Sequence, residues 1–363
     1  MPTRLNKPIY VTVPSLAPLE EYKELLDGVW ERRILTHNGP LVQRLEKELE
    51  ANLGLRNLVA VTSGTIAIQL AIKALKLRGE IITTPFTYVA TICAIQWENC
   101  TPVFVDINPE TFNINPQKIE DAITHGSRAI MPVHVFSNPC NIEDINYIAK
   151  KYNLIVIYDA AHAMAVNYKE RSILEYGDIS ATSFHATKLF NTGEGGACVT
   201  KNYELYERLR SLRFFGHNDE KNIINDGFNG KMTEVHAALG LANLRHLDEV
   251  LSKRKLIFKR YFERLNDIDY ITFQKFDRDA YNYNYMPILI SSEELLLDLV
   301  SKLNKCNIYP RRYFHPSLNT INAIKPYTPM PISEDIAKRV LCLPSYNDLN
   351  LEMVNYICDI IKD

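Results

Sequence analysis

The chain contains no run of about 18 uninterrupted apolar residues, so no segment predicts a membrane-spanning helix. Its first residues, Met1-Pro2-Thr3-Arg4-Leu5-Asn6-Lys7-Pro8, carry no apolar signal core, and the cytoplasm is the expected address. The seven cysteines (Cys93, Cys100, Cys140, Cys198, Cys306, Cys342 and Cys358) are odd in number and form no Cys-x-x-Cys pair. That pattern argues against a disulfide framework and a zinc site and predicts buried thiols; no metal is expected. Charge of one sign is also lacking: 41 basic and 43 acidic residues leave a net charge of -2. The basic residues are spread among acids rather than gathered in a tail, which argues against a nucleic-acid partner. There is no internal repeat and no low-complexity tract. What remains is a chain of 363 residues, 46% hydrophobic and 23% charged, with material for one large core and a smaller second one.

From about residue 55 to 200, short apolar runs alternate with amphipathic stretches. The strand-like runs are Leu58 to Val61, Ile81 to Thr84, Pro102 to Asp106, Ala129 to His134 and Leu154 to Tyr158. Helices are expected over Thr65 to Leu77, Tyr88 to Trp97, Pro116 to Ile123 and Ile142 to Tyr152. This rhythm predicts an α/β fold with a mainly parallel sheet flanked by helices and right-handed crossovers. Beyond residue 233 the pattern changes to one long helical stretch, Thr233 to Arg264. A strand over Tyr285 to Ile290 and a helix over Ser292 to Asn304 follow. The expected organisation is an N-terminal arm and large domain over 1–250 and a smaller α+β domain over 251–363. Residues 6–16 and a helix over Pro18 to Arg32 are expected to pack on the smaller domain.

Two residues carry the chemistry. Lys188, in Ser183-Phe184-His185-Ala186-Thr187-Lys188, follows Asp159 of Ile157-Tyr158-Asp159-Ala160-Ala161-His162 by 29 positions. A lysine amine can join the aldehyde of pyridoxal 5'-phosphate as a Schiff base, and a carboxylate can keep a proton on that cofactor's ring nitrogen. A lone lysine is ordinarily a solvated charge, and a lone aspartate at a strand end ordinarily a helix cap; their combination carries the inference. Thr62-Ser63-Gly64-Thr65 follows a strand and opens a helix, where backbone N–H groups and the helix dipole can hold a phosphate dianion. Ser183 could add a hydroxyl to that phosphate, Tyr88 could lie flat on the ring, and His162 could approach the phenolic oxygen or polarise Asp159. The glycine run Asn191 to Ala197 lacks the spacing of a dinucleotide turn and precedes a strand, so it reads as a tight turn behind the lysine.

These words, taken in order, resemble the DegT-type nucleotide-sugar aminotransferases from about residue 10 to the C-terminus. The resemblance also rests on Pro85-Phe86-Thr87-Tyr88-Val89-Ala90-Thr91, Pro132-Val133-His134, Glu194-Gly195-Gly196 and Phe228-Asn229-Gly230-Lys231-Met232-Thr233-Glu234. It implies the fold of type I pyridoxal phosphate-dependent transferases, with Lys188 carrying the cofactor and Asp159 on its ring nitrogen. Tyr88 would stack on the ring, His162 would lie beside it, and Gly64, Thr65, Ile66 and Ser183 would hold the phosphate. Asn229 would reach the phosphate in a neighbouring subunit's site, which implies a homodimer with shared active sites. Two departures from the family's usual words, Ser137-Asn138-Pro139 and Lys231, touch substrate recognition rather than the cofactor.

Lysine at position 188, where related sugar dehydratases carry histidine, implies transamination. L-glutamate would give up its nitrogen and leave as 2-oxoglutarate, and a keto-deoxy sugar nucleotide would receive it. Ile308 to Pro316, Val340 to Pro344 and Val11 to Pro14 are most similar to the branch acting at carbon 4 of dTDP-4-keto-6-deoxy-D-glucose, which supplies surface polysaccharide such as lipopolysaccharide O-antigen. Arg311 or Arg312, with Tyr313, could bind the glutamate carboxylate or the nucleotide diphosphate, since a guanidinium forks onto either. The competing readings are a 3-keto sugar, a UDP-linked 4-keto amino sugar, and, from another class, a non-catalytic regulator that binds the cofactor or a sugar nucleotide. A hydride-transfer enzyme would need a Gly-x-Gly-x-x-Gly turn where this chain has Ser63-Gly64-Thr65.

Overall fold

A computed structural model describes residues 4–363, apart from the side chain of Asp279. Its centre is a seven-stranded sheet in the order Leu58–Val61, Gly196–Val199, Ile179–Ser183, Ile155–Asp159, Ser127–Ile130, Gly79–Thr83 and Cys100–Phe104. All neighbours pair in parallel except Gly196–Val199, which is antiparallel to both of its neighbours. The sheet is covered on both faces, so Leu58–Val61 and Ile179–Ser183 are buried at every position. Gly64–Ala74 is apolar on nearly all sides because it lies against Ile179–Ser183, Gly196–Val199 and the helix Val89–Trp97.

A three-stranded antiparallel sheet, in the order Ile271–Phe273, Pro287–Ile290 and Val340–Cys342, forms a second centre. Its core gathers Ile257, Tyr261, Met286, Ile288, Leu299 and Ile357, drawn from that sheet and the helices Leu247–Leu265, Glu293–Lys305 and Leu351–Lys362.

Three local expectations are revised. The stretch Pro116 to Ile123 is two single 3-10 turns, Pro116–Lys118 and Glu120–Ala122. Only Ile119 within it is fully buried, and so short a segment needs tertiary packing to become an α-helix. The stretch Thr233 to Arg264 is two helices, Glu234–Leu244 and Leu247–Leu265, broken where His246 leaves helical geometry. The first is nearly all buried in the large core, whereas the second buries one face that starts in that core at Leu247 and Val250 and ends in the C-terminal one at Ile257 and Tyr261. The helix Leu19–Arg32 packs on the large core, not on the C-terminal one. Its Leu25 and Val29 join Val42, Leu45, Ala237 and Leu241, because its apolar stripe meets the largely apolar helix Glu234–Leu244. The residues before it do reach the C-terminal core: Ile9–Tyr10 pairs in parallel with Ile308–Tyr309, and Leu5, Ile9 and Val13 pack there.

The parallel strand ends converge where the chain leaves the sheet. Past Ile130 the ladder cannot run on unchanged, since Pro132 has no N–H to give. Pro132 and His134 instead bracket Asp159: Asp159 N donates to the Pro132 carbonyl at 2.9 Å, and His134 N donates to the Asp159 carbonyl at 3.1 Å.

Candidate active site

Asp159 ends its strand 4% exposed. One carboxylate oxygen accepts from Thr91 Oγ1 at 2.7 Å and the other from the Ala161 N–H at 3.1 Å. Burial raises its pKa, while Thr91, the Ala161 N–H and the charge of Lys188 pull in the other direction. Thr91 is itself set by Thr87, whose hydroxyl lies 2.8 Å from it one helical turn away. A carboxylate with both oxygens hydrogen-bonded is fixed in orientation.

Lys188 follows the strand Ile179–Ser183 and sits in a turn where its N–H donates to the His185 carbonyl. Its Nζ donates to the Tyr285 hydroxyl at 3.2 Å. Burial, with a smaller push from Arg311, brings the amine down to about 8 against the opposing charge of Asp159. A lysine so placed is a usable base near neutral pH.

His162 is neutral, held well below its ordinary pKa by burial and by the charge of Lys188. Its Nδ1 accepts from the Phe136 N–H at 3.2 Å, which leaves the proton on Nε2. Its carbonyl accepts from Ser137 Oγ at 2.7 Å and Asn282 Nδ2 at 2.9 Å. Phe136 and Ser137 reach these positions in left-handed conformations, with φ of 54° and 75°. Both are non-glycine residues, for which that region is costly.

These groups face one cavity of about 240 Å³. Gly64 and Thr65, at the start of the helix Gly64–Ala74, line one end of it together with Ser183. A side chain at position 64 would put its Cβ 2.8 Å from that of Ser183, so glycine is what lets the helix start approach the serine. Ile66 does not line the cavity, and its N–H already donates to Ser63 Oγ at 3.2 Å as a helix cap. Tyr88 lines the opening and is 59% exposed.

The opposite wall comes from the C-terminal part of the chain: Tyr285, Arg311, Tyr313 and Phe314. Arg311 is held by backbone pairing with Cys342 and lies 4.9 Å from the Tyr313 ring centre. Arg312 turns away, donating to Glu293 Oε1 at 2.6 Å and to the Lys338 carbonyl at 2.9 Å. Asn229 is also outside this cavity, exposed, with its Oδ1 accepting from Lys231 Nζ at 2.5 Å. Lys231 lines a wider groove of about 1020 Å³ with Arg213, Phe214 and His217, which contains none of Lys188, Asp159 and His162.

Sequence reasoning did not single out Thr91, Tyr285, Phe314 or Glu194 as site residues. Thr91 had a signal, a lone hydroxyl in the apolar helix Val89–Trp97; Tyr285 had none, since it begins an apolar strand-like run.

A model of the DegT/DnrJ/EryC1/StrS aminotransferase family matches residues 19–362. The chain is 43% identical to a dTDP-4-amino-4,6-dideoxy-D-glucose transaminase of Shigella dysenteriae, covering 99% of this chain and 100% of the relative. It is 34% identical to a GDP-perosamine synthase of Escherichia coli O157:H7, covering 98% of each. The crystal structure of DesI in the presence of its TDP-sugar product superposes with a TM-score of 0.94 at 31% identity, covering 99% of this chain and 94% of that one. NtdA from Bacillus subtilis, with bound cofactor PMP, gives 0.87 at 30% identity over 95% of this chain and 82% of its own. Since the likeness runs along the whole length and not over the cavity alone, the chain belongs to the DegT/DnrJ/EryC1/StrS aminotransferase family.

Proposed function

We propose that this chain moves the amino group of L-glutamate to carbon 4 of dTDP-4-keto-6-deoxy-D-glucose, with pyridoxal 5'-phosphate as cofactor. The observation that carries the reading is the convergence of Lys188 Nζ, the Asp159 carboxylate and the helix start at Gly64 and Thr65 on one cavity. That donor set suits a flat ring with a phosphate at one end, and the contact of Gly64 with Ser183 forms a cradle that a Cβ would fill. When bound, the cofactor supplies an electron-accepting ring that renders the carbon next to the transferred nitrogen acidic.

Each residue then has a task. Gly64 and Thr65 offer backbone N–H groups to the phosphate and Ser183 a hydroxyl. Asp159, oriented by Thr91, holds a proton on the ring nitrogen. Tyr88 covers one face, and His162 presents an uncharged Nε2–H. Lys188 Nζ anchors the cofactor and, once freed, takes up and gives back the proton during transfer. Arg311, beside Tyr313, is the cation suited to the glutamate carboxylate or the nucleotide diphosphate.

The sugar assignment rests on the relative named for dTDP-4-amino-4,6-dideoxy-D-glucose, which is similar over its whole length. The remaining parts of the proposal are a cytoplasmic enzyme, a product destined for surface polysaccharide, and a domain boundary near residue 250 between the two hydrophobic cores. No helix among the described residues is long and apolar enough to cross a membrane. A homodimer is proposed in which Asn229, exposed and outside its own chain's cavity, completes the neighbouring site.

The test loads the protein with pyridoxamine phosphate and offers dTDP-4-keto-6-deoxyglucose and its 3-keto isomer separately, with the product identified by NMR. Amination of the 4-keto sugar alone supports the assignment, and preference for the 3-keto isomer overturns the carbon position. Inertness toward both overturns the dTDP-sugar assignment. Mixing Asn229→Ala with Lys188→Ala protein tests the shared site. Hybrid dimers should regain activity; verified hybrids that stay inactive would show that Asn229 acts within its own chain.

A further inference from the structure

Tyr285 lies between Lys188 and the aromatic wall. Its hydroxyl accepts from Lys188 Nζ at 3.2 Å. Its ring is fixed on three sides: His162 at 4.6 Å, Phe136 at 5.5 Å and Tyr313 at 5.5 Å between ring centres. Its backbone is fixed as well, since its carbonyl accepts from the Tyr281 hydroxyl and it adjoins the strand Pro287–Ile290. The side chain is 6% exposed and lines the same cavity as Asp159 and Lys188. A long, flexible lysine is thus met by a rigid hydroxyl held in an apolar cluster with Phe86, Val133, Phe136 and Phe314.

We propose that Tyr285 is a positioning residue whose hydroxyl holds the Lys188 amine in place whenever that amine is free. The inference rests on the reading of Lys188 as the cofactor-bearing nitrogen. A free lysine amine has four single bonds to rotate about, and a proton-transfer step requires it at one spot. Burial keeps the phenol of Tyr285 protonated. It can therefore accept from Lys188 as an ammonium and donate to it as a neutral amine, so one contact serves both halves of a proton shuttle. Aspartate or glutamate at this position would offer only acceptance once ionised and would add a charge beside Asp159.

The groups that set the charge of Lys188 are Asp159, which favours its protonated form, and Arg311, which opposes it. His162 is neutral, and the pair of His185 and Glu194, 3.6 Å apart, stands at the largely exposed rim. Tyr285→Phe removes the hydroxyl and keeps the ring that His162, Phe136 and Tyr313 pack against. In cofactor-free protein, the rate of acylation of Lys188, followed by mass spectrometry against pH, reports the ionisation of that amine directly. Loss of an acceptor for the charged form should lower its midpoint by roughly half a unit or more. In loaded protein, kcat should fall ~10-fold with little change in KM, and the isotope effect with α-deuterated glutamate should rise. Replacing residue 285 by 3-fluorotyrosine, which keeps shape and makes the phenol more acidic, should move the Lys188 midpoint while preserving packing.

If both the phenylalanine and the fluorotyrosine proteins keep the parent's acylation midpoint, or if Tyr285→Phe keeps its kcat and isotope effect, Tyr285 does not position the amine. Parent protein that takes up no pyridoxal phosphate would overturn the cofactor reading instead. The acylation experiment, which needs no cofactor, then judges Tyr285 by itself.

Discussion

The two walls of the cavity are built in different ways. The sheet-side wall, with Asp159, Ser183 and Lys188, comes from strand ends and the turns just after them, and each functional residue lies in a short contiguous word. The C-terminal wall, with Tyr285, Arg311, Tyr313 and Phe314, comes from distant segments that meet where Tyr285, Tyr313 and Phe314 pack with Phe86, Val133 and Phe136 in an apolar cluster. The first wall holds the lysine and carboxylate on which the proposed chemistry rests. The second is joined to the first through Lys188, whose Nζ donates to the Tyr285 hydroxyl and whose pKa Arg311 lowers.

That contrast predicts a graded response to substitution. Lys188→Ala should reduce turnover by ~10⁴-fold or more, measured with glutamate and the keto sugar nucleotide. An appreciable residual rate would remove Lys188 from the chemistry and with it the basis of the comparison.

The same lysine should also destabilise the empty protein. Its folded pKa of about 8 lies below the ordinary 10.5, so between those values the unfolded chain binds more protons. The cost is fully present below pH 8 and is lifted as pH rises toward 10.5, so stability rises with pH through that window. Lys188→Met should therefore stabilise cofactor-free protein at pH 7 by up to about 3 kcal/mol, read from denaturant unfolding. A gain that is as large at pH 10.5 would point to packing and not to charge burial.

Asp159→Asn keeps the shape of the sheet-side wall and removes its charge, and should cost at least about 100-fold in kcat. On the opposite wall, Arg311→Ala should raise KM ~10-fold for glutamate or the sugar nucleotide, with kcat less affected. Arg312→Ala, which breaks only a pair with Glu293 and a bond to the Lys338 carbonyl, should stay within about threefold of the parent. Equal effects of the two arginines would erase the distinction drawn between them. Thr91→Val falls between the two arginines: loss of one hydrogen bond to Asp159 should weaken cofactor retention about fivefold, measured by equilibrium dialysis.

Much of the sheet-side wall was readable because its words depend on local chemistry. An apolar run ending in Asp159, or Ser63-Gly64-Thr65 between a strand and a helix, specifies both the element and the exposed end. The elements that misled did so where packing outweighed local pattern. Leu19–Arg32 is amphipathic, but nothing in its sequence says which core its stripe will meet. The stretch after Pro116 has a correct first-turn proline and too little to bury.

The neighbouring arginines show the same limit. Arg311 and Arg312 are equivalent in the sequence; backbone pairing with Cys342 and the position of Glu293 send one into the cavity and the other away. Tyr285 is the extreme case, an aromatic in a strand-like run that reads as core and does pack as core, yet directs its hydroxyl at Lys188.

By itself the sequence determined the alternating α/β architecture, the lysine and aspartate pair and the helix start suited to a phosphate, since periodicity and contiguous turn chemistry are local properties of the chain. Only the tertiary structure decided which arginine faces the cavity, that Thr91 orients Asp159, that Phe136 fixes the tautomer of His162, and that Tyr285 meets Lys188. Those contacts join residues up to 97 positions apart, and such distances are closed by burial of an apolar cluster that joins Phe86, Val133 and Phe136 to Tyr285 and Phe314, a property of the whole chain and not of any window within it.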